Sequence, residues 1–212
     1  MYKRQGIAYR KVGENETSDY ASAAWAQRAK LLARNIEVSP INIKRLKDII
    51  PQIRSLTIQN PEVFCEKLKN MLSECGVAIV FLPHVSGSFL HGASFIDGNH
   101  IVLGLTVRGK DADKFWFSLF HELYHIIEGH IYSPDGTTEE QETLADQFAR
   151  DTLIPMKNYQ KFIEKGDFSE VSIVLFAKSV DVKECIVLGR LQKENFVPYN
   201  WHQSLKVRYK IE

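Results

Sequence analysis

The sequence predicts an α+β fold, a small, partly antiparallel three-stranded sheet packed against helices, one of them carrying His-Glu-x-x-His. Two observations carry that expectation. Apolar residues recur at helical spacing through most of the chain, and between residues 77 and 106 the pattern changes to short β-branched runs broken by a turn. The composition (212 residues, 44% apolar, 25% charged and 11% aromatic) describes a globular chain large enough to bury a core without disulfide staples.

Residues 1 to 17 are polar and irregular and read as a linker or an assembly scar. "MYKRQ" looks like a translated transposon-end sequencing adapter, which would place further coding sequence upstream. Residues 18 to 60 form an N-terminal helical segment. Ser18 is expected to cap a helix with the apolar stripe Ala21, Trp25, Ala29, Leu32 and Ile36, ended by Ser39 and Pro40, and a less regular helix covers about 42 to 56. The central segment, 61 to 156, opens with Asn60 and Pro61 as N-cap and first-turn pair, continues through the stripe Phe64, Leu68, Leu72, Cys75, and stops at Gly76. Strands follow at "VAIVFL" (77–82), "GASFI" (92–96) and "HIVLGLT" (100–106), with "DGN" (97–99) as a tight turn.

Asp111 begins the next helix, which runs to about Glu128 and stops at Gly129. After a turn, "SPDGT" (133–137), Thr138 and Gln141 form a capping box for a helix that Pro155 ends. Residues 157 to 212 are a C-terminal helical extension with two or three helices to about Asn195 and an unassigned tail.

Charge and cysteine usage exclude several classes. A formal net charge of +1 gives no bulk attraction to nucleic acid or membrane. Cys65, Cys75 and Cys185 are odd in number and widely spaced, as expected of core thiols in a reducing cytosol. No run approaches the roughly 20 apolar residues of a membrane span, and no signal-peptide block opens the chain, so a cytoplasmic protein is expected.

The chemistry is concentrated in "KFWFSLFHELYHIIEGH" (114–130). At about 3.6 residues per turn His121 and His125 stack on one helical face and can share a metal ion, while Glu122, about 100° round, can reach only a water on that ion. A catalytic zinc site needs a third protein ligand. "EQETLADQFA" offers Glu142 for it, and Asp146 one turn along accepts the second ring N–H of a metal-bound histidine. Glu139 and Glu140 lie at the helix start, where the dipole favours them without a metal. A metzincin pattern fails, since it needs Gly and His where Glu128 and Ile131 stand. His130 is then a solvated turn residue, with substrate contact as its minor role. A lone buried histidine is more often an ordinary core residue. Two at this spacing, the intervening Glu and a downstream Glu-x-x-x-Asp favour the metal.

"FWFSLFHELYH" followed by "ETLADQFARDTLIP" resembles the ImmA/IrrE family of zinc metallopeptidases. "GASF", "IVLGLTVRGKDADKFWF" and "IVLGRLQKEN" are similar to the version found behind a helix-turn-helix domain in HigA-type antitoxins, and the likeness spans most of residues 18 to 200. It implies Zn2+ as cofactor, His121, His125 and Glu142 as its ligands, Glu122 as general base, and residues 61 to 156 as a metallopeptidase core. It also implies a narrow protein or peptide substrate, often a helix-turn-helix repressor. Tyr124 stands where the family usually has Gly, either packing against a neighbouring helix or offering a phenol to the substrate carbonyl. The alternative is an antitoxin-type transcriptional regulator whose DNA-binding part lies upstream. Within this chain "FAKSVDVKECIVLGRL" (176–191) has some helix-turn-helix spacing, with Ala177, Val182, Val187 and Leu191 as anchors, but Asp181 in the turn and no basic cluster. One of the strands at 92–96 and 100–106 is expected to be an edge that pairs with an extended peptide.

Overall fold

The computed structural model describes residues 16–83, 85, 91–106, 111–133 and 136–209, and most of the linker or scar expected at 1 to 17 lies outside them. Eight helices and one sheet appear among these residues: α1 (Glu16–Ala33), α2 (Ile43–Ser55), α3 (Pro61–Ser73), β1 (Val77–Leu82), β2 (Gly92–Asp97), β3 (His100–Thr106), α4 (Ala112–Ile127), α5 (Glu139–Leu153), α6 (Met156–Lys165), α7 (Glu170–Ser179) and α8 (Glu184–Lys193). The α+β expectation holds, and the sheet is mixed. β3 is central, parallel to β1 and antiparallel to β2, with Asp97 opposite His100 across the Gly98–Asn99 turn. Of the two strands expected to offer an edge, β2 does and β3 does not, because a chain pairs on both of its sides.

Both faces of the sheet are covered, which is why its strands are almost continuously apolar. Ala78, Val80, Leu82, Ala93, Phe95 and Val102 meet α1, whose buried residues are Ser22, Trp25, Ala26, Ala29 and Ala33. The expected stripe is thus displaced at one end: Leu32 is 42% exposed and Ala33 takes its place, the small side chain letting the helix lie close to the sheet. Ser18 lies inside α1 rather than at its cap, since the helix begins at Glu16. Val77, Ile79, Ile101, Leu103 and Leu105 face the larger core with α3 and α4.

Local signals set most boundaries. Asn42 accepts from the Arg45 N–H at the start of α2, and Thr138 and Gln141 make the reciprocal capping box of α5. Asn60 occupies the expected N-cap of α3, but its carbonyl and not its side chain serves the first turn. The helices of the extension share the core of the central segment. Arg54 of α2 bonds Thr152 O (2.7 Å), Leu153 O and Val180 O, satisfying carbonyls at the ends of α5 and α7.

The tail that sequence patterns left unassigned folds back on α4. Asp111 and Arg208 form a β-bridge, Ala112 N donates to Val207 O, and Tyr209 joins Phe64, Phe115 and Trp116 in an aromatic cluster. There the buried Trp116 indole donates to Tyr209 Oη at 3.0 Å. Tyr209→Phe would leave that donor unpaired and should cost about 1–3 kcal/mol in urea denaturation, whereas the surface change Lys157→Ala should move the midpoint little.

Candidate metal centre

Helix α4 is largely enclosed around the site, and the two histidines and the glutamate are buried with its apolar residues at 4%, 3% and 4% exposure for His121, His125 and Glu122. Burial at this level is tolerable only if each polar atom is partnered. Helix α5 supplies partners for the two histidines, because its facing positions Ala145 and Ala149 are small and fully buried, so the two helices pack closely. That approach brings Glu142 and Asp146, one turn apart on α5, onto the histidines.

Three donor residues converge. His121 Nε2 and His125 Nε2 are 3.1 Å apart, Glu142 Oε2 is 3.2 Å from the first and Glu142 Oε1 3.3 Å from the second. His121, His125 and Glu142 each present one ligand atom within 4.8 Å of the others, a grouping that could hold a metal ion. Tetrahedral ligands about 2.0–2.1 Å from a metal stand roughly 3.3 Å from one another, so the spacings fit. Glu142 Oε2 is buried, and its 3.2 Å approach to His121 Nε2 is too poorly aligned to use its full accepting capacity, as a carboxylate oxygen free to take a metal requires.

The electrostatics favour positive charge at this point. Burial alone would lower the His121 pKa, but its bonds to Asp146 and Glu142 raise it to about 9. Burial would raise Glu142, yet the bonds from His121, His125 and Thr137 hold it well below the usual carboxylate range. Glu122, fully enclosed, is pushed up by burial against the opposing pull of His121, His125 and Ser94.

Of the four flanking residues, three sit as the sequence reading places them and one, His130, does not. Asp146 Oδ1 accepts from His121 Nδ1 at 2.8 Å, as expected of a residue that orients a ligand. Glu122 lies beside the cluster rather than in it. Tyr124 packs its ring against Phe148 of α5 (centroids 5.3 Å) and His130 (5.7 Å), the packing role of the two considered. His130 is half-buried, not solvated, with Nδ1 2.9 Å from His125 Nδ1.

Three residues escaped sequence reasoning. Ser94 Oγ donates to Glu122 Oε2 at 2.7 Å, and Thr137 Oγ1 donates to Glu142 Oε1 at 2.6 Å. Gly92 makes room: a β-carbon there would lie 2.8 Å from Glu122 Cγ. Their signal was slight, two small residues alternating on one face of a strand in "GASF". No protein-family model, curated protein or solved structure matches the chain.

The folded chain is expected to bind about one divalent ion, measured by elemental analysis after dialysis, because the cluster offers three protein ligands. His121→Ala, His125→Ala and Glu142→Ala should each lose most of it. Full metal content in His125→Ala would refute the ligand set. Asp146→Asn should keep all three ligands and still lower affinity about 10- to 100-fold in chelator competition.

Proposed function

We propose that the chain is a zinc-dependent metallopeptidase of regulatory type that cuts a protein partner such as a helix-turn-helix repressor, as the resemblance of its α4 and α5 sequences implies. One observation carries the reading most: a buried carboxylate, Glu122, stands beside three converging ligand residues without being one of them. Zinc bound there would supply a Lewis acid and lower the pKa of a water towards about 7. Ser94 occupies Glu122 Oε2, which leaves Oε1 to take the proton from the attacking water. Burial raises the Glu122 pKa, which makes the carboxylate a stronger base towards that water, and the carboxyl so formed stands ready to pass the proton to the more basic leaving amine.

An extended substrate would pair along the outer side of β2, where Ile96 is partly exposed and Gly92 and Ser94 are buried, so that pairing further along requires that side of the strand to open. Thr106 N bonds His91 O, and antiparallel alternation then turns the backbone groups of Ala93, Phe95 and Asp97 towards β3 and those of Gly92, Ser94 and Ile96 outward. No backbone bond is made on that outer side among the described residues. A peptide paired there would run past Glu122, with its alternate side chains available for selection.

Nothing comparable supports reading DNA with α7 and α8. The two helices and the turn at Asp181 (φ 51°) do have helix-turn-helix order, and Ala177, Val182, Val187 and Leu191 are buried as anchors. Yet α8 also buries Cys185, Ile186, Leu188, Arg190 and Gln192, which leaves it little free face for a groove.

Glu122→Gln should retain zinc and cleave about 10²- to 10⁴-fold more slowly, scored on internally quenched peptide libraries and on a purified helix-turn-helix repressor. Wild-type activity in that variant would sink the mechanism. Under the pairing model Ile96→Pro, which removes an outward N–H and some packing of a half-buried side chain, should abolish cleavage while zinc content holds and the Tm falls no further than in Ile96→Ala, which should still cleave. Phe95→Pro, which removes an inward N–H, should destabilise the sheet.

A further inference from the structure

The geometry points to His130 as the residue that positions His125, an inference that rests on the metal reading above. In a continued helix His130 would lie about 140° round from His125 and about 7.5 Å along the axis, out of reach of its ring. Helix α4 does not continue. Gly129 takes φ +75°, a conformation that costs residues with a β-carbon, and its N–H closes onto Ile126 O. The chain reverses there, and the turn at residues 130–132 sets the His130 ring 5.2 Å from that of His125. Tyr124 packs against the same imidazole, and Phe148 backs Tyr124 in turn.

The pairing has a direction. His125 Nε2 faces His121 and Glu142, so Nδ1 is its remaining nitrogen, and that atom lies 2.9 Å from His130 Nδ1. Two ring nitrogens bond only if one bears hydrogen and the other a lone pair. When His125 gives its Nε2 lone pair to a metal, its hydrogen sits on Nδ1, and His130 accepts through Nδ1 with its own hydrogen on Nε2. His130 is no ligand itself, since it contacts His125 through the nitrogen turned away from the cluster. Asp146 accepts from His121 Nδ1 in the same way, and Thr137 Oγ1 donates to Glu142 Oε1. Each donor side chain therefore has one dedicated partner, and His130 completes the set.

The test uses the full chain and zinc alone. His130→Ala should weaken zinc affinity about 10- to 100-fold in chelator competition, with the metal-free Tm near wild type. His130→Gln, which keeps an acceptor, should recover part of the loss. In the zinc-loaded wild type, long-range ¹H–¹⁵N spectra should show His125 with a slowly exchanging Nδ1 proton that the Ala variant loses. Equal affinity in wild type and His130→Ala overturns the positioning role and leaves the peptidase reading standing, as does a Gln variant no tighter than Ala. A wild-type chain that takes up no zinc overturns both. If the Ala variant does not fold, the affinity of His130→Gln against His130→Asn and wild type decides: all three equal refutes the role, and a graded loss supports it.

Discussion

Placing ionisable side chains in the middle of an apolar helix is the constraint on which the rest of this structure depends. Isolated buried charges are strongly penalised, so α4 can carry His121, Glu122 and His125 only if other elements bring polar atoms to them. The close α4–α5 seam, the small residues of β2 and the reversal after Gly129 all meet that demand. Asp146, Ser94 and His130 come from three separate elements and reach the three buried ionisable positions of the helix, 121, 122 and 125. The site is less a pocket decorated with ligands than the arrangement that lets a buried polar helix exist.

The sheet has a supporting part in this. β3 is paired on both sides and enclosed above and below, which makes it the rigid reference of the fold. β2 hangs from it and carries the residues that touch Glu122. On the proposed reading, a substrate is most easily aligned with a fixed carboxylate from a strand that is itself held by a buried neighbour. From the other side, the Trp116–Tyr209 bond anchors α4 a little over one turn before His121.

Much of the fold and the core of the site was legible in the sequence because each rests on a local rule. His-x-x-x-His and Glu-x-x-x-Asp obey helical periodicity, the Thr138–Gln141 capping box is a four-residue signal, and the strand pattern marked all three strands. What was not legible depends on which element lies against which. Ser94 and Thr137 are ordinary residues until a particular helix packs beside them. Leu32 and Ala33 are both apolar, and only the proximity of the sheet decides that the smaller one faces inward. Strand order comes from tertiary pairing, so the sequence narrows the edge to one of β2 and β3, and only the pairing of β3 on both sides assigns it to β2. His130 falls in a turn just past a helix stop, where solvent exposure is the ordinary expectation, and only the way the 130–132 turn packs beside α4 brings its ring onto His125.

The placement of the three donor residues on two different helices has a thermodynamic side. A metal held by His121 and His125 of α4 and Glu142 of α5 would bridge the seam formed by Ala145 and Ala149. Anything that binds only the closed arrangement stabilises it by mass action, about 4 kcal/mol when free ligand stands a thousandfold above its Kd. On the proposed reading, the persistence of the folded chain in a cell would follow the supply of available zinc. Scarcity of the ion would then reduce the amount of intact protein as well as the activity of each molecule.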